Sequence, residues 1–211
     1  MTDSLRFPPH PRYIQIETMI GCDAHCPFCP QRDIDRTPRR MPDETWMKIV
    51  DDTRGLGITY RPFLQNEALL DKRLPRIVSY IKQDPTAHAE INTNGHALGE
   101  ELAASLLEAG IDLMRFSIDA FSPETYAKDR VGLDYHRVVA NIERFARMAR
   151  ESGRTAVTEV RMIDMESNRH EQRDYIEYWS ARVDRAMIVP LYNWPWTEGV
   201  GMVRKPCIKM R

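Results

Sequence analysis

Three of the four cysteines in the chain lie close together, in residues 21–30, and their spacing could support metal chemistry. Cys22, Cys26 and Cys29 form a C-x3-C-x2-C pattern directly after a strand-like segment. Three thiolates on one loop make a soft, electron-rich ligand set that suits an iron–sulfur cluster or zinc. A [4Fe–4S] cluster held by three cysteines has one iron without a protein ligand, and that iron can bind a reacting molecule.

A structural zinc site is the main alternative for these cysteines. Zinc would need a fourth ligand, for which His25 or the distant Cys207 could be proposed. His25 lies between two of the cysteines, which makes joint tetrahedral ligation awkward, and zinc-binding cysteines usually occur as C-x2-C pairs. A disulfide framework is not expected in a long chain with few cysteines. The motif therefore favours an iron–sulfur cluster over zinc.

The composition indicates a soluble globular protein. Of the 211 residues, 42% are hydrophobic and 29% are charged, and the formal net charge is −1. This balance provides no basic excess for a nucleic-acid partner. The N-terminus has no apolar core like that of a signal peptide, and no run approaches the ~18 apolar residues that suggest a membrane span. We therefore expect a cytoplasmic protein, in a compartment that keeps thiols reduced.

Hydrophobic periodicity predicts six strands that alternate with helices. The predicted strands are residues 13–19, 58–64, 87–93, 112–119, 155–162 and 185–190. This alternation predicts an α/β fold with a parallel sheet, and six units predict a partial, open (β/α)6 TIM-like barrel. We expect an N-terminal arm at residues 1–12, the barrel at residues 13–190 and a short C-terminal tail at residues 191–211.

Polar residues follow or end the predicted strands, where such folds bind their ligands. The cysteine loop follows the first strand, and the other polar stretches are residues 65–67, 93–95, 117–119, 166–168 and 192–194. We expect them to converge on one mouth. Further residues of that mouth would favour a polar small molecule over a lipid; they are Arg39, Arg161, Glu166, Tyr192 and Trp194.

The cysteine spacing, with the aromatic Phe28 just before the last cysteine, resembles that of the radical S-adenosylmethionine (radical SAM) family. The resemblance covers about residues 13–190. It implies a [4Fe–4S] cluster on Cys22, Cys26 and Cys29, whose open iron chelates the amino and carboxylate groups of S-adenosylmethionine and passes it an electron. Phe28 would shield the cluster and pack on the adenine.

The segments after the second and third strands resemble two further motifs of the family. Gln65-Asn66-Glu67 is similar to the Gly-Glu-type motif that binds the amino group of S-adenosylmethionine, with Asn66 where glycine is commoner. The alternative for Glu67 is a helix-start carboxylate stabilised by the helix dipole. Thr93-Asn94-Gly95 resembles the Thr-Asn-Gly of the branch with SPASM or twitch auxiliary-cluster domains, although any tight turn favours Asn-Gly. The resemblance adds Asn94 to the cofactor site.

Ser117 and Asp119 resemble the Ser-x-Asp motif of the same branch. Their spacing on a strand places both side chains on one face. Ser117 would help to hold the carboxylate of S-adenosylmethionine and Asp119 would face the ribose or the substrate; the alternative is a pair that caps the next helix. Arg130 would grip the carboxylate through two hydrogen bonds, or be a solvated surface arginine. Asn168 is a candidate for ribose or substrate binding.

Cys207 lies near the end of the chain and has no partner cysteine after it. In this branch of the family, a cysteine like Cys207 begins the ligand set of a second cluster, so the chain is expected to be a minimal or truncated member. Cys207 could instead donate a hydrogen atom to a substrate radical, as in some epimerases of the family, or have no role in the reaction.

The resemblance implies an enzyme that uses a 5′-deoxyadenosyl radical to abstract hydrogen from a polar small molecule or a peptide. The outcome would be dehydrogenation, epimerisation or a related modification. An external donor such as flavodoxin or ferredoxin would supply the electron. The alternatives are a non-catalytic iron–sulfur or zinc-binding barrel protein, and an electron-transfer protein whose cluster ignores S-adenosylmethionine.

Overall fold

Six parallel strands form one sheet in the computed structural model, which describes residues 9–33, 37–153 and 155–191. The strands lie side by side in chain order, and each pairs in parallel with the next. They are β1 (Tyr13–Gln15), β2 (Thr59–Arg61), β3 (His88–Thr93), β4 (Leu113–Ser117), β5 (Val157–Asp164) and β6 (Arg185–Pro190). The predicted α/β class and partial (β/α)6 barrel are confirmed.

Helices alternate with these strands along the chain. They are α1 (Asp43–Asp52), α2 (Leu74–Ile81), α3 (Glu100–Glu108), α4 (Pro123–Asp129), α5 (Tyr135–Glu151) and α6 (Gln172–Ser180). Short 3-10 turns lie at Pro30–Asp33, Ala68–Leu70 and Arg169–Glu171. No helix within the described ranges is long and apolar enough to cross a membrane.

The two faces of the sheet differ in polarity. On β3, the buried side chains of Ala89 and Ile91 alternate with the half-buried side chains of Glu90 and Asn92. Because successive side chains of a strand point to opposite faces, the apolar residues meet the helices and the polar residues face the inside of the partial barrel. All six helices contribute fully buried side chains to the core, among them Trp46, Leu74, Leu106, Tyr126, Phe145 and Trp179.

The first strand is shorter than its sequence pattern predicts, because it ends at Gln15. Met19 pairs antiparallel with Arg40 instead, and the amide of Met41 donates to the carbonyl of Thr18 at 2.9 Å. The chain therefore leaves the sheet before it enters the cysteine loop. The division into an arm, a barrel and a tail stays a prediction.

One buried carboxylate joins the start of α4 to the turn before α6. Glu171 accepts hydrogen bonds from the amides of Phe121 (2.7 Å) and Ser122 (3.1 Å), from Thr125 Oγ1 (2.7 Å) and from Ser122 Oγ. Burial alone would raise the pKa of Glu171, but these donors hold it below its usual value. The ionised carboxylate therefore stabilises the contact between the two helices.

Replacement of Glu171 by alanine would remove the acceptor of these four hydrogen bonds. We expect Glu171→Ala to lower the free energy of unfolding by about 2–4 kcal/mol, measured by urea denaturation. Glu177→Ala is the control, because Glu177 is exposed on α6, and it should change the free energy by less than about 0.5 kcal/mol. Equal losses in the two variants would contradict the role of Glu171.

Candidate functional site

The three cysteines of the motif line one cavity at the carboxyl ends of the strands. The cavity has a volume of about 140 Å³. Its wall includes Cys22, Cys26 and Cys29 from the loop after β1. Seven of the nine residues that the sequence predicts for cofactor binding also line the cavity. They are Phe28 on the same loop, Gln65, Asn66 and Glu67 after β2, Asn94 after β3, Ser117 at the end of β4 and Arg130 after α4.

Neighbouring segments hold the cysteine loop through backbone hydrogen bonds. The amide of Glu67, after β2, donates to the carbonyl of Gly21 at 2.8 Å. The amide of His25 donates to the carbonyl of Val131, after α4, at 2.8 Å. The loop is thus fixed from two sides by segments that are distant in sequence, and its shape depends on the folded barrel.

Asp23 attaches the same loop to the segment after β3. Its carboxylate accepts a hydrogen bond from Asn94 Nδ2 at 2.7 Å and lies 2.9 Å from His96 Nδ1. Sequence reasoning assigns no role to this pair, because Asp23 and His96 are 73 positions apart and no motif joins them. Asn94, which the sequence predicts for cofactor binding, uses its amide nitrogen to hold the cysteine loop.

Glu67 is a buried carboxyl in the wall of the cavity, only 3% exposed. Its oxygens accept hydrogen bonds from Thr93 Oγ1 (2.5 Å) and from the amides of Asn94 (2.7 Å) and Leu69 (3.1 Å). Burial raises the pKa of Glu67 to about 7 despite these donors. The bond from Leu69 also makes Glu67 the cap of the turn Ala68–Leu70. The carboxyl therefore serves the local fold and remains suited to a cationic ligand.

Asn66 presents a buried donor at this wall. Its Oδ1 accepts a hydrogen bond from the amide of Leu64 at 3.0 Å, whereas its Nδ2 is buried and has no hydrogen-bond partner within the described part of the chain. Ser117 Oγ, across the cavity, accepts from Asn92 Nδ2 at 3.3 Å. A buried donor without a partner costs about 1–3 kcal/mol. Asn66 Nδ2 is therefore a position where a ligand oxygen would be favourable.

Arg130 extends from the end of α4 to the cysteine loop. Its Nε and Nη2 donate to Asp119 Oδ2 at 2.6 and 2.5 Å, and its Nη1 donates to Cys26 Sγ at 3.8 Å. The guanidinium carbon lies 5.4 Å from the centroid of the Phe28 ring. The sequence predicts that Arg130 grips the carboxylate of a ligand, but the carboxylate it holds in the structure is that of Asp119. The alternative of a solvated arginine is wrong, since the side chain is buried.

Asp119 is not among the residues that line the cavity, and its predicted contact with ribose or substrate stays a prediction. It is fully buried, and its Oδ1 accepts a hydrogen bond from the amide of Ile163 at 2.7 Å. The prediction assumed that strand alternation continues from Ser117 to Asp119, but β4 ends at Ser117. Asp119 therefore positions Arg130 from behind the cavity wall.

Asn168 is not among the residues that line the cavity either, and its predicted ligand role also stays a prediction. It is fully buried. Its Nδ2 donates to the carbonyls of Asp119 (2.8 Å) and Ile163 (2.9 Å), and its Oδ1 accepts from the amide of Met165 (3.1 Å). All of its polar atoms bind the protein itself.

Three described positions of the predicted mouth, Arg39, Arg161 and Glu166, do not line this cavity. Arg161 lies on β5 and Glu166 follows it, and neither lines the wall. Tyr192, Trp194 and Cys207 lie outside the described residues.

The donor set fits a thiolate-bound cofactor with a cationic ligand beside it. Burial raises the pKa of Cys22 to about 12 and also raises that of Cys26, where Arg130 acts in the opposite direction. Such thiols become thiolates when a metal charge replaces the proton. In the ranges that the structure describes, no three His, Cys, Asp or Glu side chains converge closely enough to hold a single metal ion. Three thiols, a buried carboxyl and an unpartnered amide on one cavity fit an iron–sulfur cluster and S-adenosylmethionine.

Comparison with known proteins places this site in a family. The family model of the radical SAM superfamily matches residues 16–168. A probable GTP 3′,8-cyclase of Methanococcus maripaludis is 31% identical over 135 residues, which are 63% of this chain and 45% of that protein. A PqqA peptide cyclase of Granulibacter bethesdensis is 27% identical over 123 residues, which are 58% of this chain and 32% of that protein. The chain thus spans less than half the length of these curated relatives.

The fold is shared with solved structures at low sequence identity. Streptococcus suis SuiB, in a crystal structure bound to S-adenosylmethionine, aligns with a TM-score of 0.73 and 14% identity. The alignment covers 88% of this chain and 42% of SuiB. At this identity, the similarity shows the partial barrel and no more.

Gly132 provides a test of how the cysteine loop is held. It has a φ of +95°, and a Cβ at this position would lie 3.2 Å from the carbonyl oxygen of Asp23. We expect Gly132→Ala to destabilise the protein by about 1–2 kcal/mol through backbone strain, and also to reduce the iron bound after anaerobic reconstitution, because the cysteine loop must shift.

Gly153→Ala is the matched control. Gly153 has a φ of +66°, but a Cβ there would have no atom within 4 Å. This variant should lose stability through strain and keep the iron content of the unmodified protein. If both variants bind iron equally well, Gly132 does not support the cysteine loop.

Proposed function

The chain belongs to the radical SAM superfamily, and on that premise we propose that it cleaves S-adenosylmethionine reductively and modifies a polar small molecule or a peptide. The observation that carries the proposal is the meeting of three thiols, Glu67 and Asn66 at one cavity. The family's cofactors, a [4Fe–4S] cluster and S-adenosylmethionine, are those that the cysteine motif predicts. When bound, they supply an electron and a 5′-deoxyadenosyl radical that takes hydrogen from the substrate.

The protein's own residues would bind and orient these groups. Cys22, Cys26 and Cys29 would hold the cluster. The carboxylate of Glu67 would pair with the ammonium group of S-adenosylmethionine, with the neighbouring backbone of Gln65 also in reach. Asn66 Nδ2, the buried donor described above, would bind a carboxylate or hydroxyl oxygen of the same ligand.

Other side chains would shield or position the site. Phe28 lies against the guanidinium of Arg130 and would exclude water from the cluster while it packs on the adenine. Ser117 Oγ would complete the grip on the ligand carboxylate, and Asn94 would keep the cysteine loop in place through Asp23. Arg130, held by Asp119, would donate its hydrogen bond to Cys26 Sγ and so stabilise the negative charge of the thiolate.

The relatives support a polar substrate. The names of two of them give GTP and the PqqA peptide as the molecules that are cyclised, and SuiB has been crystallised with the precursor peptide SuiA. For this chain we propose dehydrogenation, epimerisation or a related modification of a polar small molecule or peptide. Cys207 remains a candidate hydrogen donor in such a reaction.

The reaction would need an electron from another protein. We propose an external donor such as flavodoxin or ferredoxin, and a cytoplasmic location, where the cluster thiols remain reduced. Neither nucleic acid nor a membrane is proposed as a partner.

Anaerobic reconstitution with iron and sulfide tests the central proposal. We expect the reduced protein to show an electron paramagnetic resonance spectrum that S-adenosylmethionine perturbs, and to form 5′-deoxyadenosine, measured by chromatography. Cys26→Ala should lose both signals, because a cluster ligand is removed. Cys207→Ala is the control for iron content, which it should not change.

Other outcomes separate the alternatives. Bound zinc, or no metal, would indicate a non-catalytic barrel protein and overturn the proposal. A cluster whose spectrum ignores S-adenosylmethionine would indicate an electron-transfer protein.

The raised pKa of Glu67 makes the affinity for S-adenosylmethionine depend on pH. At a pH below its pKa of about 7, the carboxyl of Glu67 is mostly protonated. It must release this proton before it can pair with an ammonium group. We therefore expect binding to the reconstituted protein, measured by equilibrium dialysis, to tighten roughly tenfold from pH 6 to pH 7.5.

Glu67→Gln should bind more weakly and lose this pH dependence, since the amide does not titrate. The exposed Glu177 provides the control, and Glu177→Gln should keep the pH dependence of binding that the unmodified protein shows. A slope that persists in Glu67→Gln would assign the pH dependence to another group and contradict the proposed role of Glu67.

A further inference from the structure

A row of charged side chains crosses the inner face of the sheet beside the cofactor cavity. Arg61 on β2 bonds to Glu90 on β3 at 2.8 Å, and Arg115 on β4 bonds to Glu159 on β5 at 2.7 Å. Arg115 also lies 3.8 Å from Glu90, so the two pairs are joined. We call these residues, with Arg161 and Arg185, the inner-face ladder.

The positive charge of the ladder is concentrated around Glu159. This buried carboxylate is the shared partner of Arg115 (2.7 Å), Arg161 (2.6 Å) and Arg185 (3.6 Å). Glu90 is engaged mainly by Arg61, which also stacks 4.2 Å from the ring centroid of Tyr13. The ladder therefore has four guanidinium groups and two carboxylates, and one carboxylate cannot neutralise the three arginines around it.

The surplus charge is accessible. The side chains of Arg161 and Arg185 are 34% and 56% exposed, whereas that of Arg115 is 10% exposed and that of Glu159 is 2% exposed. The two accessible arginines thus have N–H donors that Glu159 leaves available, on a rigid strand surface. Such forked, planar donors match the oxygens of phosphates and carboxylates.

The ladder adjoins the cofactor cavity on the same face of the sheet. Ser117, which lines the cavity, is in register with Arg161 on the neighbouring strand β5. Arg115 precedes Ser117 by two positions on β4, and Glu159 precedes Arg161 by two positions on β5, so all four share one face. A ligand group bound at Arg161 would therefore lie next to the cavity wall at Ser117.

We propose that the inner-face ladder binds an anionic group of the substrate, a phosphate or a carboxylate, through Arg161 and Arg185. This inference rests on the proposed function, because it names the class of substrate that would lie beside the cofactors. An anion there would relieve the repulsion among three guanidinium groups, and Arg161 would orient the substrate toward the cavity while Arg185 holds the far side of the anion.

Calorimetry with simple anions tests the proposal. The probes are inorganic pyrophosphate and citrate, titrated at low ionic strength into the 211-residue protein reconstituted with its cluster and S-adenosylmethionine. We expect one of the two to bind with a Kd below about 1 mM, and Arg161→Gln to weaken it about tenfold. Preference for pyrophosphate would indicate a phosphate substrate, and preference for citrate a carboxylate substrate.

Matched variants make the result specific to the ladder. Arg161→Lys should keep part of the affinity, and the double variant Arg161→Gln/Arg185→Gln should abolish it. Arg173→Gln on α6 is the control, because its side chain is 90% exposed on a helix outside the ladder. Urea denaturation of each variant checks that the fold persists.

Two results would overturn the proposal: no binding of either anion, or an equal effect of Arg161→Gln and Arg173→Gln. The cleavage of S-adenosylmethionine is assayed in parallel on the unmodified protein. Anion binding at Arg161 without cleavage of S-adenosylmethionine would support the proposed anion site and contradict the proposed function. Cleavage without anion binding would support the proposed function and contradict the anion site.

Discussion

The buried ion pair between Asp119 and Arg130 is the interaction on which the geometry of the site depends. Asp119 accepts hydrogen bonds from the amide of Ile163 and from Arg130. Arg130 in turn donates a hydrogen bond to Cys26 Sγ in the cysteine loop. Removal of either partner would leave a buried charge unpaired, which costs about 3–5 kcal/mol. The end of β4, the end of α4 and the cysteine loop are therefore held in one arrangement, even though the loop contains little regular structure of its own.

Local patterns in the sequence are enough to predict the fold and the cluster ligands. The roles of the other site residues depend on hydrogen bonds between side chains that are distant in sequence. Strand alternation predicts the sheet because each strand is covered by helices on one face only, as on β3. The spacing of the three cysteines predicts that they lie close together, because all three belong to one short loop. Asp119 and Asn168 also follow strand ends, but their polar atoms form hydrogen bonds with residues that are distant in sequence. The positions of polar residues in the sequence predict which of them lie near the mouth of the barrel. They do not predict which of these residues bind one another.

Glu67 shows how one side chain can serve the fold and the cofactor together. Its hydrogen-bond donors come from Leu69 after β2 and from Thr93 and Asn94 at the end of β3, so the carboxyl fixes these two segments relative to each other. Those donors are too few to offset its burial, and its pKa is therefore raised. A cation would supply the missing stabilisation of the charged form. The helix-start role and the ligand role are thus complementary.

The inner face of the partial barrel has two adjoining zones with different chemistry. Among the described residues, the cavity wall at the carboxyl ends presents thiols, amides, two hydroxyls, the guanidinium of Arg130 and one carboxyl, that of Glu67, which suits a cationic group of a ligand. Next to this wall, where Arg161 is in register with Ser117, the surface becomes a ladder with more guanidinium groups than carboxylates. Three arginines around one carboxylate repel each other, so this arrangement is not the most favourable one for stability alone. Opposite preferences in the two adjoining zones would orient a polar molecule, with its anionic group on the ladder and its reacting end toward the cofactors.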